Sequence, residues 1–245
     1  MIEEHRILPL ADVALPFEEG MHPWHKAHET DIMALWAREI ERRPFLFNGD
    51  IVMHFPPRWE GDVLAARSRM ANFACLIYWL AQGGKEESAA DDICHFFGSP
   101  VLLSSDGAAI MVRMSAKTAN PGQVYAPCGS LDASDVFGNK VDLHANMARE
   151  VAEETGLDLA GATPEAGMHI YRNGGVYTCF RRFYFSQTAR EIERRVKAHL
   201  EMQSEPEIDG LALLYDAEHP NETIPEYMRA FLRFHFAPRN EVSDR

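Results

Sequence analysis

A mixed α/β fold is what the order of patterns along this chain predicts, and three observations carry it. Two turn signals, Asp106-Gly107 and Asn173-Gly174-Gly175, each lie between apolar runs of strand length, which reads as two β-hairpins. Between the hairpins lies one segment of helical period that stops at Gly156. A helix, a strand and a further helix follow. Strands before and after one central helix give a layered arrangement with helices covering a sheet. A length of 245 residues allows one large domain or two small ones. We divide the chain into a smaller α+β portion over 1–95, a main domain over 96–239, and a flexible polar tail over 240–245.

In chain order, Ile32, Leu35, Trp36 and Ile40 recur at helical spacing and predict a helix from Pro23 to about Arg42, ended by Pro44. Phe45–Phe55, rich in aromatic and β-branched residues, predicts extended structure with a turn at Asn48-Gly49. After the loop Pro56–Asp62 come a strand, Val63–Arg69, and an apolar helix, Asn72–Gln82, closed by Gly83-Gly84. The charged run Lys85–Asp92 reads as the linker. Val101–Ser104 and Ala108–Met114 form the first hairpin, and Met168–Tyr171 and Val176–Phe185 the second. Helices are expected at Thr188–Met202 and Ile224–Phe236, with a strand at Leu211–Tyr215.

Composition narrows the function. An apolar fraction of 46% with 25% charged residues suits a globular chain that buries a core. The net charge of −13 argues against nucleic acid, whose phosphates need a basic surface. The same charge opposes an anionic small molecule, unless a bound cation inverts the local field. Cys75, Cys94, Cys128 and Cys179 lie far apart, without metal or redox spacing, and read as free thiols in a reducing compartment. No signal peptide opens the chain, and the longest apolar stretch, Phe73–Ala81, is too short to cross a bilayer. The expectation is a cytoplasmic protein with no membrane partner.

Most of the chemistry lies in Arg149-Glu150-Val151-Ala152-Glu153-Glu154-Thr155-Gly156-Leu157. On a helix Glu150, Glu153 and Glu154 share one face, with neighbouring Cβ atoms roughly 5–6 Å apart. They crowd the helix C-terminus, where the macrodipole prefers cations. Like charges on one face and the wrong sign at that end are two broken rules, as expected where function overrides foldability. A divalent cation would remove both penalties; a solvated acidic face is the competing account. In the N-terminal portion His22, His25 and His28, with His54, have a spacing usable by a transition metal, against the simpler reading of surface histidines. Phe180, Phe183, Tyr184 and Phe185 can stack on a nucleobase or pack within the sheet.

The string from Arg149 to Leu157 resembles the core of the Nudix hydrolase signature, R-E-U-x-E-E-x-G-U with U aliphatic, at each fixed position. Pro127-Cys128-Gly129 is similar to the Pro-Gly-Gly that opens that motif. The resemblance implies a Nudix-type α/β/α sandwich with a mixed sheet over the C-terminal 150 or so residues. The chain departs from the pattern in three ways. Twenty positions separate Gly129 from Arg149, six more than in the family, placed within Asp132–Lys140. Val141 stands where the family has its first Glu, and Asp142 beside it is a good helix N-cap. Cys128 replaces a glycine that lends a backbone carbonyl to a metal.

The resemblance implies hydrolysis of a diphosphate joining a nucleoside to another group, such as ADP-ribose or a sugar nucleotide, with Mg2+ or Mn2+ as cofactor. Glu150 and Glu154 are implied as direct ligands, with Glu153 and the Cys128 carbonyl beside them. Glu153 also counts among the catalytic residues, with Arg149, which four-residue spacing makes a salt-bridge partner of Glu153. A downstream acid often completes such sites, and Glu207, ahead of Glu205, is expected to serve as the base, against a solvated acidic loop. Gly129 and Arg113 are the expected substrate contacts, Arg113 through its guanidinium fork. Arg113, Gly122 and Pro127 match spacings of the coenzyme A-hydrolysing branch, whereas Met114, Lys117 and Asn120 replace its Ser, Leu and His. Coenzyme A diphosphatase and a non-catalytic nucleotide-binding module are therefore the alternatives. Oligomeric state is not readable from the sequence; the resemblance leaves a homodimer open, with the N-terminal portion as the candidate for dimer contact or substrate selection.

Overall fold

A computed structural model describes residues 2–86, 92–219 and 223–238. The first part comprises β1 (Ile7–Leu10), β2 (Asp12–Ala14), β3 (Phe17–Met21), α1 (Pro23–Arg42), β4 (Asp50–His54), β5 (Arg58–Glu60), β6 (Val63–Ala65), β7 (Ser68–Asn72) and α2 (Phe73–Ala81). There follow β8 (His95–Leu103), β9 (Ala109–Met114), β10 (Val124–Tyr125), β11 (Val136–Phe137), β12 (Lys140–Val141) and α3 (Leu143–Thr155). The last part holds β13 (Thr163–Pro164), β14 (Met168–Asn173), β15 (Val176–Tyr184), α4 (Ala189–Leu200), β16 (Ile208–Leu214) and α5 (Glu226–Phe236).

The main sheet runs β1-β14-β15-β8-β9-β10, with β13 added on β15 and β16 on β9. It is mixed: β15 and β8 pair in parallel over nine positions, while its other pairings are antiparallel. Successive side chains of β8 point to opposite faces. Phe97 meets Tyr227 of α5 edge-on at 5.5 Å. Its neighbour Gly98 faces α3, and a Cβ there would lie 2.7 Å from Met147 Cγ. The bare glycine thus lets α3 dock closely on one face while α5 covers the other, which gives the expected α/β/α layering. Phe180 stacks on Phe231 of α5 at 4.3 Å, so this aromatic is sheet packing.

The first 86 residues make two small three-stranded sheets, β2-β6-β5 and β3-β7-β4, with α1 and α2 packed together. Strand β1 instead joins the edge of the main sheet through β14. Strand β4 lies between two cores: Ile51 and Met53 face Ile32, Trp36 and Trp79, while Val52 belongs to the main core. The Val52 N–H donates to the Leu131 carbonyl at 2.7 Å, tying this strand to the motif loop.

The sequence and the structure part company at several places. The expected loop Pro56–Asp62 holds β5, because Arg58–Glu60 finds a ladder on β6, and β1–β3 precede α1 where the sequence reading placed no strand. Within Phe45–Phe55 only Asp50–His54 is a strand, because the Asn48 side chain accepts from Ala74 N–H at 2.7 Å and Gly49 O from Phe73 N–H at 2.9 Å. Those bonds hold a turn against the start of α2, where a ladder would have run. The expected strand Val63–Arg69 is broken at Ala66-Arg67, because β6 follows β2 and β7 follows β3. The histidines are not surface residues: His22, His25 and His54 are all at most 5% exposed. Most of the proposed linker (87–91) and the tail 240–245 lie outside the described residues. Among the described residues no helix is long and apolar enough to cross a membrane.

Candidate functional site

Helix α3 places the acids. Asp142 caps it, its carboxylate accepting from the N–H groups of His144 and Ala145, each at 3.1 Å. Gly156 ends it in the left-handed region at φ 67°. Over the intervening turns Glu150 and Glu154 fall on the buried side, 7% and 4% exposed, and Glu153 on the solvent side. All three line a cavity of about 1030 Å³ together with Arg149, Gly129 and Glu207. Six of the expected site residues are thus brought together.

Burial drives the electrostatics of the cavity floor. It pushes the Glu150 carboxyl up to about 7, against the pull of Arg149 and with the charges of Glu153 and Glu207 adding to the rise. Glu154 is pushed well above the usual carboxylate range, by burial first and then by Glu150, Glu207 and Glu153. One Glu154 oxygen, Oε2, is buried without a hydrogen-bond partner among the described residues. Such an orphan has a desolvation cost that only a ligand or a proton can offset. Gly129 sits against Glu150, where a Cβ would come within 2.6 Å of the carboxyl carbon.

Arg149 is the organiser. Its Nε and Nη2 donate to both oxygens of Asp135, at 3.3 and 2.9 Å, and its Nη1 bonds Glu150 at 2.9 Å and Glu153 at 3.1 Å. Burial opposes its charge, but the bond to Asp135 and the neighbouring carboxylates outweigh this and raise its pKa. Sequence reasoning missed Asp135, which lies inside the extra loop segment and is almost fully buried. The available signal was local: Asp132 and Asp135 form a reciprocal capping box around the turn Ala133–Asp135.

The remaining expected residues lie as follows. The Glu207 carbonyl accepts from Ser115 N–H at 2.8 Å, and its charge reaches both buried glutamates. Glu205 also lines the cavity but pairs with Lys117 at 2.9 Å. Burial and the charges of Glu154 and Glu150 push up the Cys128 thiol, which is hydrogen-bonded to Tyr227. Arg113 lies on β9 opposite Val124 and Gly210, outside the cavity lining. Sequence reasoning also missed the far wall, where Phe47, Asp50 and Phe73 meet His199 and Met202 from the α4 end.

Among the described residues no three His, Cys, Asp or Glu side chains stand in a ready ligand cluster. Glu150 instead pairs with Arg149 at 2.9 Å. The donors nevertheless suit a hard divalent ion: they are carboxylate oxygens, desolvated, mutually repelling, and one is unpartnered.

No family model matches the chain, and no curated protein matches it. Among solved structures, it is similar to the MutT protein from Methanosarcina mazei, at 19% identity and a TM-score of 0.34, covering 61% of this chain and 96% of that one. A Nudix hydrolase from Nitrosomonas europaea shares 14% identity at a TM-score of 0.34, covering 62% and 97%. A bifunctional NMN adenylyltransferase/ADP ribose pyrophosphatase from Francisella tularensis shares 15% identity at a TM-score of 0.38, covering 65% and 44%. The functional assignment of the present chain rests on its own residues.

Proposed function

We propose that this chain is a Nudix hydrolase. The reaction is magnesium-dependent cleavage of a diphosphate that joins a nucleoside to a second moiety, of the ADP-ribose or sugar-nucleotide kind, in the cytoplasm. One observation carries the reading: the signature string folds so that Glu150 and Glu154 form a desolvated carboxylate floor with an orphaned oxygen, inside a cavity large enough for a nucleotide.

Glu150 and Glu154 would hold magnesium, or manganese, with Glu153 and the Cys128 carbonyl beside them. When bound, the ion neutralises diphosphate charge and acidifies a water. The protein supplies the rest. Arg149, fixed by Asp135, holds Glu150 and Glu153 in place. Gly129 keeps the floor open, since any side chain there would displace Glu150. Water attacks one phosphorus, the anhydride P–O bond breaks, and two phosphomonoesters leave. Glu207, from a separate loop lining the same cavity, takes the proton of the attacking water.

The test is a screen of nucleoside diphosphate conjugates with magnesium, comparing the intact chain with Glu154→Gln. The expected result is phosphomonoester release by the intact chain, reduced at least about 100-fold in the variant. Equal signals from both proteins remove the hydrolase reading. Ligand binding without turnover by either favours a non-catalytic module.

A further inference from the structure

Resting on the hydrolase reading, we infer that the cavity has a second subsite at its outer wall, built by the N-terminal portion and the end of α4. It selects a flat ring without negative charge as part of the substrate. The first support is unpartnered apolar surface. Phe47 is 82% exposed and Met202 79% exposed, and both line the cavity that holds the acidic floor. Exposed apolar side chains gathered in one groove mark a binding surface, where the same groups scattered singly would mean nothing. Phe73 and Ile51 continue the same wall.

The second support is that the turn next to Phe47 is held in place. Asn48 Oδ1 accepts from Ala74 N–H at 2.7 Å, and Gly49 O accepts from Phe73 N–H at 2.9 Å, bolting the turn to the start of α2. A Cβ on Gly49 would stand 3.2 Å from the Phe47 ring, so the ring lies against its own turn. An aromatic with two side-chain torsions on a pinned backbone has little to lose on stacking.

The third support is the charge of the lining. Asp132, Glu150, Glu153 and Glu154 come from the motif side, and Asp50, Glu205 and Glu207 from elsewhere. Among the described lining residues Arg149 is the sole permanently cationic side chain, and carboxylates already engage it. Lys117, outside that lining, is paired with Glu205, which belongs to it. Magnesium can compensate the diphosphate, but among the described lining residues no further permanently cationic group stands ready for another phosphate. A cationic ring, by contrast, would find Asp50 and the faces of Phe47 and Phe73. The substrate is therefore a diphosphate with a neutral or cationic ring and no additional phosphomonoester, which disfavours coenzyme A.

The ring can be the nucleobase or the second moiety, and the test separates these sources. Four ADP esters are compared with the intact chain, Phe47→Ala and Phe47→Trp: methyl, phenethyl, para-trimethylammonium-phenethyl and para-phosphono-phenethyl. Methylene-bridged versions are bound by calorimetry, so that affinity is read without turnover. The expected result is that the phosphono ester binds about 100-fold more weakly than the phenethyl ester. Phe47→Ala is expected to weaken binding about tenfold, with Trp restoring it. If only the ring-bearing esters feel Phe47→Ala, the second moiety occupies the wall; if the methyl ester feels it equally, the nucleobase does. No effect of Phe47→Ala on any ester overturns the subsite, and so does phosphono binding equal to phenethyl when only the ring-bearing esters feel Phe47→Ala. Tight binding with this order but no turnover leaves the subsite standing and removes the hydrolase reading alone.

Discussion

Arg149 pairs with Asp132, Asp135, Glu150 and Glu153, and its position in the chain shows how one side chain orders a site. Asp135 is the partner that matters for stability. Its carboxylate is nearly inaccessible and also accepts from Asn146 at 3.0 Å and from Asp132 N–H at 3.0 Å. Removing it would cost Arg149 its two-point partner, leaving Asp132, Glu150 and Glu153, and would take an acceptor from Asn146 and from the Asp132 N–H. Asp135→Ala is therefore expected to lose about 1–3 kcal/mol in urea unfolding. A loss below about 1 kcal/mol, the range of an exposed pair, would contradict this account. The acids of α3 were legible in the sequence because their spacing and Gly156 are local signals. Asp135 was not, because its meaning depends on a partner fourteen residues away that folding brings beside it.

At the scale of elements, α3 is positioned by what β8 lacks. Gly98 meets Met147 and Leu143 with no room for a side chain. Gly98→Val is expected to overpack this contact and cost about 1–3 kcal/mol. It should also weaken magnesium binding, since α3 must lift and carries Glu150 and Glu154 with it. Unchanged stability together with unchanged magnesium affinity would show that the helix does not depend on this seat. The hairpins, the caps and α3 itself could be read from the chain, because turn and cap chemistry act within a few residues. That the chain ahead of Asp50 would stay out of a ladder could not, since the turn at Asn48-Gly49 is satisfied by α2, some twenty-five residues later. Neither could the parallel pairing of β8 with β15, which joins distant segments.

Over the whole molecule, the N-terminal portion is built around histidines that must stay neutral. Burial holds His22 and His95 down at about 4 and His54 well below its ordinary value. The Nε2 atom of each is buried without a hydrogen-bond partner among the described residues. Unfolded, each titrates near the ordinary histidine value of 6.5, so the unfolded state binds more protons once the pH falls below that point. Their contribution is complete above about 6.5 and is lost as pH falls toward 4, at up to about 1.4 kcal/mol per pH unit for each. Glu150 acts in the opposite sense, gaining stability as pH falls from about 7 toward the ordinary carboxyl value of 4.5. Comparing the intact chain with His95→Gln cancels the part due to Glu150. The variant should show the shallower fall in urea midpoint between pH 7 and pH 5, and parallel curves would contradict the burial of a neutral His95.

The central claim is that the buried floor of α3 is made for a divalent cation, and titrating magnesium while following the melting temperature tests it most directly. At about a hundred times its dissociation constant the ion should add about 2.7 kcal/mol to the intact chain, a rise of several degrees. Glu154→Gln, relieved of a desolvated charge, should melt no lower than the intact chain without metal and should barely respond to it. An intact chain indifferent to magnesium, or a variant that responds equally, would contradict the account.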